Sequence, residues 1–494
     1  MEVVPWSAVR AIVRLVFAAV IAVAAVGAAP DEQPVYRRLV ELESTRTFSE
    51  ELTAALASSD ANIAGRAALA LGRTQDARAA GPLHNATAAR DVSVRALAMY
   101  GYGLLAGKTP ISSEVLLRGL NDRAPAVRVA AVDAAWRDEA AKRPGAAELS
   151  APLLAMIADD PDPIVRSRAA TALSGWREAD DAPAIGARVA RAFAAERNRT
   201  VRWHDAWTLR RAFPLAPSPE LLRAGLDDPD ELVRIQFADL LARRKDPRAL
   251  GLLEPLLTDR SWRVREQARE SIAVLDGGQR TVHLTAIPEG VVTPSPEPPN
   301  VEPALPRPRV SGNPRKPTAA EARLDLPLRA TTSALLDGPM PGPHPRVRIG
   351  TTKGTIVVRL YPEWAPLTVA NFLNLVDRGY YDGLRWFRIV PDFVAQTGDP
   401  HDNGEGDAGY TIPAEENPLE QRSGVISMGL NYTEGANPGP IRDSAGTQFY
   451  LTMSPQLHLD RDFTVFGEIE SGFSVLGRLI ESDRMTRVER LADN

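Results

Sequence analysis

One short segment of the chain places three chemically different side chains on an apolar run. Arg388, Phe393 and Gln396 bring a cation, an aromatic ring and an amide within nine residues. The cation and the amide can donate hydrogen bonds and the ring offers apolar surface, but none of the three groups is a nucleophile. His458 and Asp460 lie further along without a serine elbow, so the pattern does not favour a hydrolase.

Two later segments continue this pattern in a fixed order. Gln448 and Tyr450 follow on a second apolar run, and Leu459 and Phe463 come shortly after them. In their order and spacing, the three segments resemble the cyclophilin family of peptidyl-prolyl cis-trans isomerases. The resemblance covers roughly residues 345–490, under a third of the chain.

The resemblance assigns a role to each of these residues. Arg388 would direct its cation at the prolyl nitrogen of a bound peptide, with Phe393 and Gln396 as the other catalytic residues. Rotation about the X-Pro amide has a barrier of about 20 kcal/mol. A cation that favours the twisted amide lowers this barrier without a metal or a cofactor. The implied substrate-binding residues are Val394, Met428, Gly429, Gln448, Tyr450, His458, Leu459 and Phe463.

Three positions depart from the family pattern. Val394 stands where the family often has methionine, and His458 stands where many eukaryotic members have tryptophan. Phe463 replaces a histidine of the pocket. These side chains remain apolar or ring-shaped, so we expect the slot to persist with an altered preference for substrates and weaker binding of cyclosporin-type inhibitors.

From residue 344 to residue 494 the hydrophobic pattern has a period of two, which predicts strands. One helix is predicted over Ala365–Gly379, because Pro366 suits its first turn and Gly379 suits its end. A second helix is predicted over Gly472–Glu481. Many strands with two helices predict a closed antiparallel β-barrel, which is also the fold that the resemblance implies.

Residues 30–276 are predicted to form an all-α solenoid. Val-Arg pairs recur every 31 to 38 residues, and a period of this length indicates stacked helix pairs that resemble short HEAT-like repeats. The pairs are Val94-Arg95, Val127-Arg128, Val165-Arg166, Val201-Arg202, Val233-Arg234 and Val264-Arg265. We interpret the recurrent arginine as a structural partner of the neighbouring repeat. The alternative is a concave surface that binds an anionic ligand.

Two segments outside these regions are not expected to pack. Residues 277–343 are rich in proline and predict an extended linker. In residues 1–29, Arg10 and Arg14 precede the apolar run Leu15–Val26, which is typical of a secretory signal peptide. The sequence therefore predicts export, into the periplasm of a bacterium, with no membrane span after cleavage. The alternative is an anchor that is not cleaved.

The composition restricts the class of function. The chain has 494 residues, a net charge of −5 and no cysteine, so disulfides, thiolate chemistry and a basic surface for nucleic acid are not expected. One interpretation is an exported isomerase that acts on proline-containing peptides and on unfolded or folding proteins, with the repeats binding a protein partner and recruiting these clients. The alternative is a non-catalytic scaffold in which the repeats carry the main function.

Overall fold

The computed structural model describes residues 33–140, 142, 146–278, 335, 344–406, 408–433 and 439–492. The predicted signal peptide and nearly all of the predicted linker lie outside these residues. Contacts divide the chain into a repeat unit, Phe48–Pro294, and a barrel unit that combines Met1–Thr47 with Ser295–Asn494. None of the helices in the described ranges is long and apolar enough to cross a bilayer.

The described part of the repeat unit is all helical, as predicted. Its α-helices are α2 (Glu50–Leu56), α3 (Ala61–Thr74), α4 (Ala80–Ala86), α5 (Val92–Leu104), α6 (Ser113–Leu120), α7 (Pro125–Ala140), α8 (Ser150–Asp159), α9 (Pro163–Ala172), α10 (Ala182–Ala195), α11 (Arg199–Ala212), α12 (Pro219–Leu226), α13 (Glu231–Arg244), α14 (Leu250–Leu253) and α15 (Trp262–Leu275). Helices α3, α5, α7, α9, α11, α13 and α15 form one row, in which each packs against the next.

Short polar side chains begin most helices of this row. The carboxylates of Asp60, Asp91, Asp162 and Asp230 accept hydrogen bonds from backbone amides in the first turns of α3, α5, α9 and α13. An accepting side chain at this position satisfies amides that the helix leaves without partners. These caps explain why an aspartate precedes so many of the Val-Arg pairs.

The recurrent arginines connect successive repeats. Arg128 binds Asp160 through two contacts of 2.8 Å and donates to the carbonyl oxygen of Asp122 at 3.0 Å. The same arrangement joins Arg95 to Asp122, Arg166 to Glu196, Arg202 to Asp228 and Arg234 to Asp259. The structural interpretation of these arginines is therefore confirmed.

The barrel unit contains one eight-stranded antiparallel sheet, as predicted. Its strands are β1 (Arg346–Thr351), β2 (Gly354–Leu360), β3 (Arg388–Val390), β4 (Val394–Thr397), β5 (Val425–Met428), β6 (Phe449–Thr452), β7 (Val465–Ser471) and β8 (Met485–Arg490). The sheet order is β3-β4-β6-β5-β7-β2-β1-β8. A bridge between Arg385 and Arg484, with the amide of Trp386 donating to the carbonyl of Asp483, joins the two edges and closes the barrel.

Three helices accompany this sheet: α1 (Gln33–Ser44), α16 (Pro366–Asp377) and α17 (Phe473–Leu476). Helix α16 matches the first predicted helix of the barrel, and α17 is shorter than the second. The buried carboxylate of Glu415 caps α16 by accepting from the amides of Leu367 and Thr368.

Helix α1 belongs to the barrel unit although it precedes the repeats in sequence. Val40 is a member of the barrel's buried hydrophobic cluster, and Tyr36 packs against that cluster. In sequence, α1 lies within the segment assigned above to the repeats. Its apolar face nevertheless contacts the core of a domain whose strands begin after residue 344.

Candidate active site

Antiparallel pairing of β3 with β4 brings the predicted catalytic residues together. Arg388 lies opposite Gln396 in the register, and its Nη1 donates to Gln396 Oε1 over a long contact of 3.4 Å. The guanidinium carbon of Arg388 lies 5.2 Å from the centre of the Phe393 ring. The half-buried cation is therefore held beside both the amide and the ring, as the resemblance implied.

A chain of amide contacts continues from this cation across the sheet. Gln396 Nε2 donates to Gln448 Oε1 at 3.0 Å, and Gln448 Nε2 donates to the carbonyl oxygens of Gly404 and Gly406. Each glutamine is oriented by its neighbour, so the two amides have fixed directions. They present oriented donors and acceptors next to Arg388, which suits binding of a peptide backbone.

A small apolar cluster forms the slot next to these polar groups. Its buried members are Val394, Tyr450, Leu459 and Phe463, and the half-buried Phe393 and Leu430 pack against it. The rings of Tyr450 and Phe463 meet edge to face, with centroids 5.9 Å apart. Burial raises the pKa of the Tyr450 phenol, so this ring stays neutral at the bottom of the slot.

Phe393 is fixed in place by the hydrogen-bonded turn at Asp392 and by the ring of His458. Asp392 adopts a left-handed conformation with φ of 58°, and its carbonyl oxygen accepts hydrogen bonds from Ser454 and Gln456. The exposed His458 stacks on the Phe393 ring with centroids 5.6 Å apart. His458 therefore lies at the site, as predicted, where its ring covers one face of Phe393.

The structure does not place the Met428 side chain in the slot. Met428 belongs to the main barrel core, with 1% of its surface exposed. Its neighbour Gly429 does border the site, because a Cβ atom there would lie 3.1 Å from Gln448 Cβ and 3.3 Å from Gln396 Nε2. The absence of a side chain at position 429 leaves the amide pair accessible from that side.

Two further residues take part in the geometry of the site. The ring of Tyr432 approaches that of Phe463 at 6.4 Å, and the charge of Arg388 opposes the upward pKa shift that burial gives the Tyr432 phenol. Asp399 accepts hydrogen bonds from the amides of His401, Asn403 and Gly404. It thereby shapes the loop whose carbonyls hold Gln448.

Buried polar contacts support the slot from behind. Ser427 Oγ donates to the carbonyl oxygen of Thr464, and Gln421 Nε2 donates to Ser427 Oγ at 3.0 Å. The amide of Gln421 donates to Asp460 at 2.7 Å. These contacts fix the residues that flank Leu459 and Phe463, so the apolar walls rest on a layer of buried hydrogen bonds.

Comparison with known proteins identifies both units. Residues 346–492 match the family described as "Cyclophilin type peptidyl-prolyl cis-trans isomerase/CLD", and residues 189–273 match HEAT repeats. Peptidyl-prolyl cis-trans isomerase B of Bacillus subtilis is 42% identical over 135 residues, which cover 27% of this chain and 88% of the relative. A peptidyl-prolyl cis-trans isomerase of Synechococcus elongatus is 40% identical over 145 residues, or 29% of this chain and 94% of the relative.

A solved cyclophilin-type isomerase from Cryptosporidium parvum, determined in the presence of the dipeptide Ala-Pro, also matches. It is 24% identical, with a TM-score of 0.27, over 30% of this chain and 99% of its own length.

The chain belongs to the cyclophilin-type peptidyl-prolyl cis-trans isomerase family. Its barrel unit is the isomerase domain, and HEAT repeats precede that domain in the chain. The predicted family, fold class and enzyme class are thereby confirmed.

Proposed function

We propose that Arg388, Phe393 and Gln396 carry out the isomerisation of X-Pro bonds in peptides held against the slot. The supporting observation is the convergence of one half-buried cation, two oriented amides and an apolar cluster at the end of β4. The proline ring of the substrate enters the cluster of Val394, Tyr450, Leu459 and Phe463. Its backbone is held by Gln396 and Gln448.

The chemistry follows from the electronic structure of the amide. In the planar ground state the lone pair of the prolyl nitrogen is delocalised, and in the twisted state it is localised on the nitrogen. A donor from Arg388 interacts more strongly with the localised pair, so it stabilises the transition state more than the bound substrate. An acceleration of about 10⁵ requires about 7 kcal/mol of such differential stabilisation.

The experiment is an isomerisation assay of the full chain on a proline-containing tetrapeptide. Turnover in the wild type, together with its loss in Arg388→Ala, supports these roles. If Arg388→Ala retains the full turnover of the wild type, another group must carry out the reaction.

We also propose that the protein is exported. The support is the basic and apolar pattern of residues 1–29, in which Arg10 and Arg14 precede the run Leu15–Val26 and small residues follow. N-terminal sequencing of protein recovered from cell fractions tests this proposal. A chain that begins near Pro30 outside the cytoplasm agrees with it, and a cytoplasmic chain that retains Met1 contradicts it.

The repeats, in this proposal, recruit folding proteins to the isomerase. A captured client reaches an effective concentration in the millimolar range near the barrel. The test compares the full chain with a variant in which Phe48–Pro294 is deleted and α1 is retained. We expect equal rates on a tetrapeptide and a slower rate for the deletion on a refolding protein. Equal rates on every protein client exclude recruitment.

A further inference from the structure

One groove of the repeat unit combines apolar surface with exposed arginines. It has a volume of about 770 Å³ and lies between α8 and α10. Leu154, Ile157 and Ala192 supply apolar surface, and Arg188, Arg191 and Arg197 are exposed around it. A volume of this size accommodates a segment of several residues.

The three rim arginines differ from the arginines that connect the repeats. Arg166, at the same groove, binds Glu196 at 2.8 Å, and Glu196 also accepts from the amides of Arg197 and Asn198. Glu196 is thus fully engaged. Within the described residues, no carboxylate forms an ion pair with Arg188 or Arg191.

We propose that this groove binds acidic polypeptide segments that also carry apolar side chains. The proposal rests on the recruitment function above and names the class of segment recruited. Guanidinium groups bind carboxylates through paired hydrogen bonds. Leu154 and Ile157 would contact the apolar side chains that lie between the carboxylates of the bound segment. The apolar surface of the groove disfavours nucleic acid, which needs a continuous basic surface.

The test measures binding of a fluorescent 12-residue peptide of alternating glutamate and leucine to the full chain. Its partner peptide has glutamine in place of glutamate. The groove variant is Arg188→Glu with Arg191→Glu, and the control is Arg90→Glu with Arg223→Glu, which changes the net charge equally at exposed positions elsewhere.

We expect the groove variant to weaken binding of the glutamate peptide at least tenfold and the control to weaken it less than twofold. The glutamine peptide should bind the wild type at least tenfold more weakly. Equal losses in both variants, unchanged binding in the groove variant, or displacement by millimolar inorganic phosphate each overturn the proposal. If the peptide experiment overturns the groove proposal but the deletion variant still isomerises a refolding protein more slowly, recruitment by the repeats is retained and another surface of the repeat unit carries it.

A second, independent observation concerns the end of α1. Arg46 follows this helix, and its Nη2 donates to the carbonyl oxygen of Ala414 and to Asp443 Oδ1, the latter at 2.6 Å. Asp443 Oδ1 also accepts from the amide of Ala414 at 2.6 Å. The Arg46 side chain is 17% exposed and the Asp443 side chain is 38% exposed, so water reaches this contact mainly from the side of the carboxylate.

Both partners of Arg46 are connected to residues of the active site. Next to Asp443, Ser444 Oγ accepts from the amide of Asn431 at the base of a hairpin, in which Tyr432 pairs with Pro440. Tyr432 is the residue that reaches Phe463.

The second partner leads to the same pocket by another route. Ala414 precedes Glu415, whose amide donates to Thr464 Oγ1, and Thr464 adjoins Phe463. Two separate hydrogen-bonded connections therefore run from Arg46 to the rim of the slot.

We propose that Arg46 is a positioning residue for substrate binding. By fixing Asp443 and Ala414, it holds the Tyr432 hairpin against the mouth of the slot. The enzyme therefore recruits a residue from before its repeats to shape the proline site. Removal of Arg46 should loosen the hairpin and weaken substrate binding without removing any group that acts on the amide.

The experiment compares Arg46→Ala with Arg38→Ala in the full chain. Arg38 lies on α1 and pairs with Glu41 of the same helix, so it is a matched control. We expect Arg46→Ala to raise KM for a proline tetrapeptide at least threefold with kcat within twofold. Hydrogen exchange at the amides of Asn431 and Ile441 should accelerate at least tenfold.

A second substitution, Arg46→Lys, keeps the charge and should give intermediate values of KM and exchange. Arg38→Ala should match the wild type in both. Wild-type KM in Arg46→Ala, or exchange that accelerates equally in all barrel strands, overturns the positioning role.

Discussion

Replacing Arg388 by alanine is the most direct test of how the site works. Within the free enzyme this side chain makes a long contact of 3.4 Å to Gln396 and lies 5.2 Å from the Phe393 ring. A cation over a ring contributes about 0.5–1 kcal/mol at such sites. The barrel should therefore remain folded after the change, and any large effect must come from the substrate complex.

The magnitude follows from the hydrogen bond that Arg388 makes to the twisted amide. A hydrogen bond from a charged donor is worth about 1.5–3 kcal/mol, which corresponds to a fall of roughly 10- to 150-fold in kcat/KM. Because the bond strengthens in the transition state, the loss should be mainly in kcat. Arg388→Lys should be intermediate, since it keeps the charge without the planar group.

The assay is peptide isomerisation coupled to cleavage of the trans form, with circular dichroism as the check on folding. Arg385→Ala is the control, because Arg385 is exposed and its ion pair with Asp402 is long at 3.6 Å. We expect it to stay within twofold of the wild type. A folded Arg388→Ala enzyme with unchanged kcat/KM would refute the mechanism.

Three other predictions concern separate parts of the molecule. His458→Trp should tighten cyclosporin binding, because a larger ring would stack on Phe393, and calorimetry that shows no gain contradicts this. Arg128→Ala should lower the free energy of unfolding of the repeat unit by about 3–5 kcal/mol. Arg248→Ala, whose side chain is 90% exposed, should leave the midpoint in urea close to that of the wild type; equal midpoints for the two variants would contradict this difference. Burial raises the pKa of Glu363 from 4.5 to about 7, so its protonated form stabilises the barrel below pH 4.5 and this stabilisation is lost as the pH rises through 7; Glu363→Gln should flatten this dependence in hydrogen exchange of barrel amides, and an unchanged slope would contradict the assignment.

Much of the site could be predicted because its residues lie on short strands with regular spacing. Arg388 and Gln396 face each other because a tight turn joins β3 to β4, and the turn lies between them in sequence. Likewise, the Val-Arg pairs predicted the contacts between repeats, since each pair recurs at the same position of a helix and an acidic residue follows at a similar distance. Local periodicity was sufficient for the repeats, whereas in the barrel the resemblance to the cyclophilin family selected the site residues and periodicity predicted only the strands.

Met428 shows where the assignment by resemblance fails for a side chain. All four residues of β5 are buried, so neither face of this strand is marked by polar residues. Without alternation, the sequence does not tell which side chain points into the core and which into the slot. Gly429 could be placed correctly because a glycine has no side chain to assign.

Contacts between segments that are distant in sequence could not be predicted, because they leave no local pattern in the sequence. Tyr432 reaches Phe463 only because a hairpin folds back toward the slot, and nothing in its neighbours distinguishes it from other exposed aromatic residues. The position of α1 could not be predicted either. Its amphipathic pattern would suit a repeat equally well, and only the fold shows that Val40 enters the barrel core.

The position of α1 also determines the order in which this protein can complete its fold. During synthesis α1 is made first, the whole repeat unit Phe48–Pro294 follows, and the barrel strands come last. The apolar side chains of Tyr36 and Val40 therefore have no barrel core to pack against until the barrel strands are made. Closing so long a segment is entropically unfavourable and slow compared with local packing. Docking of α1 should consequently be the final step of maturation, so a nascent chain stalled before the last strands would expose the face that the finished enzyme buries.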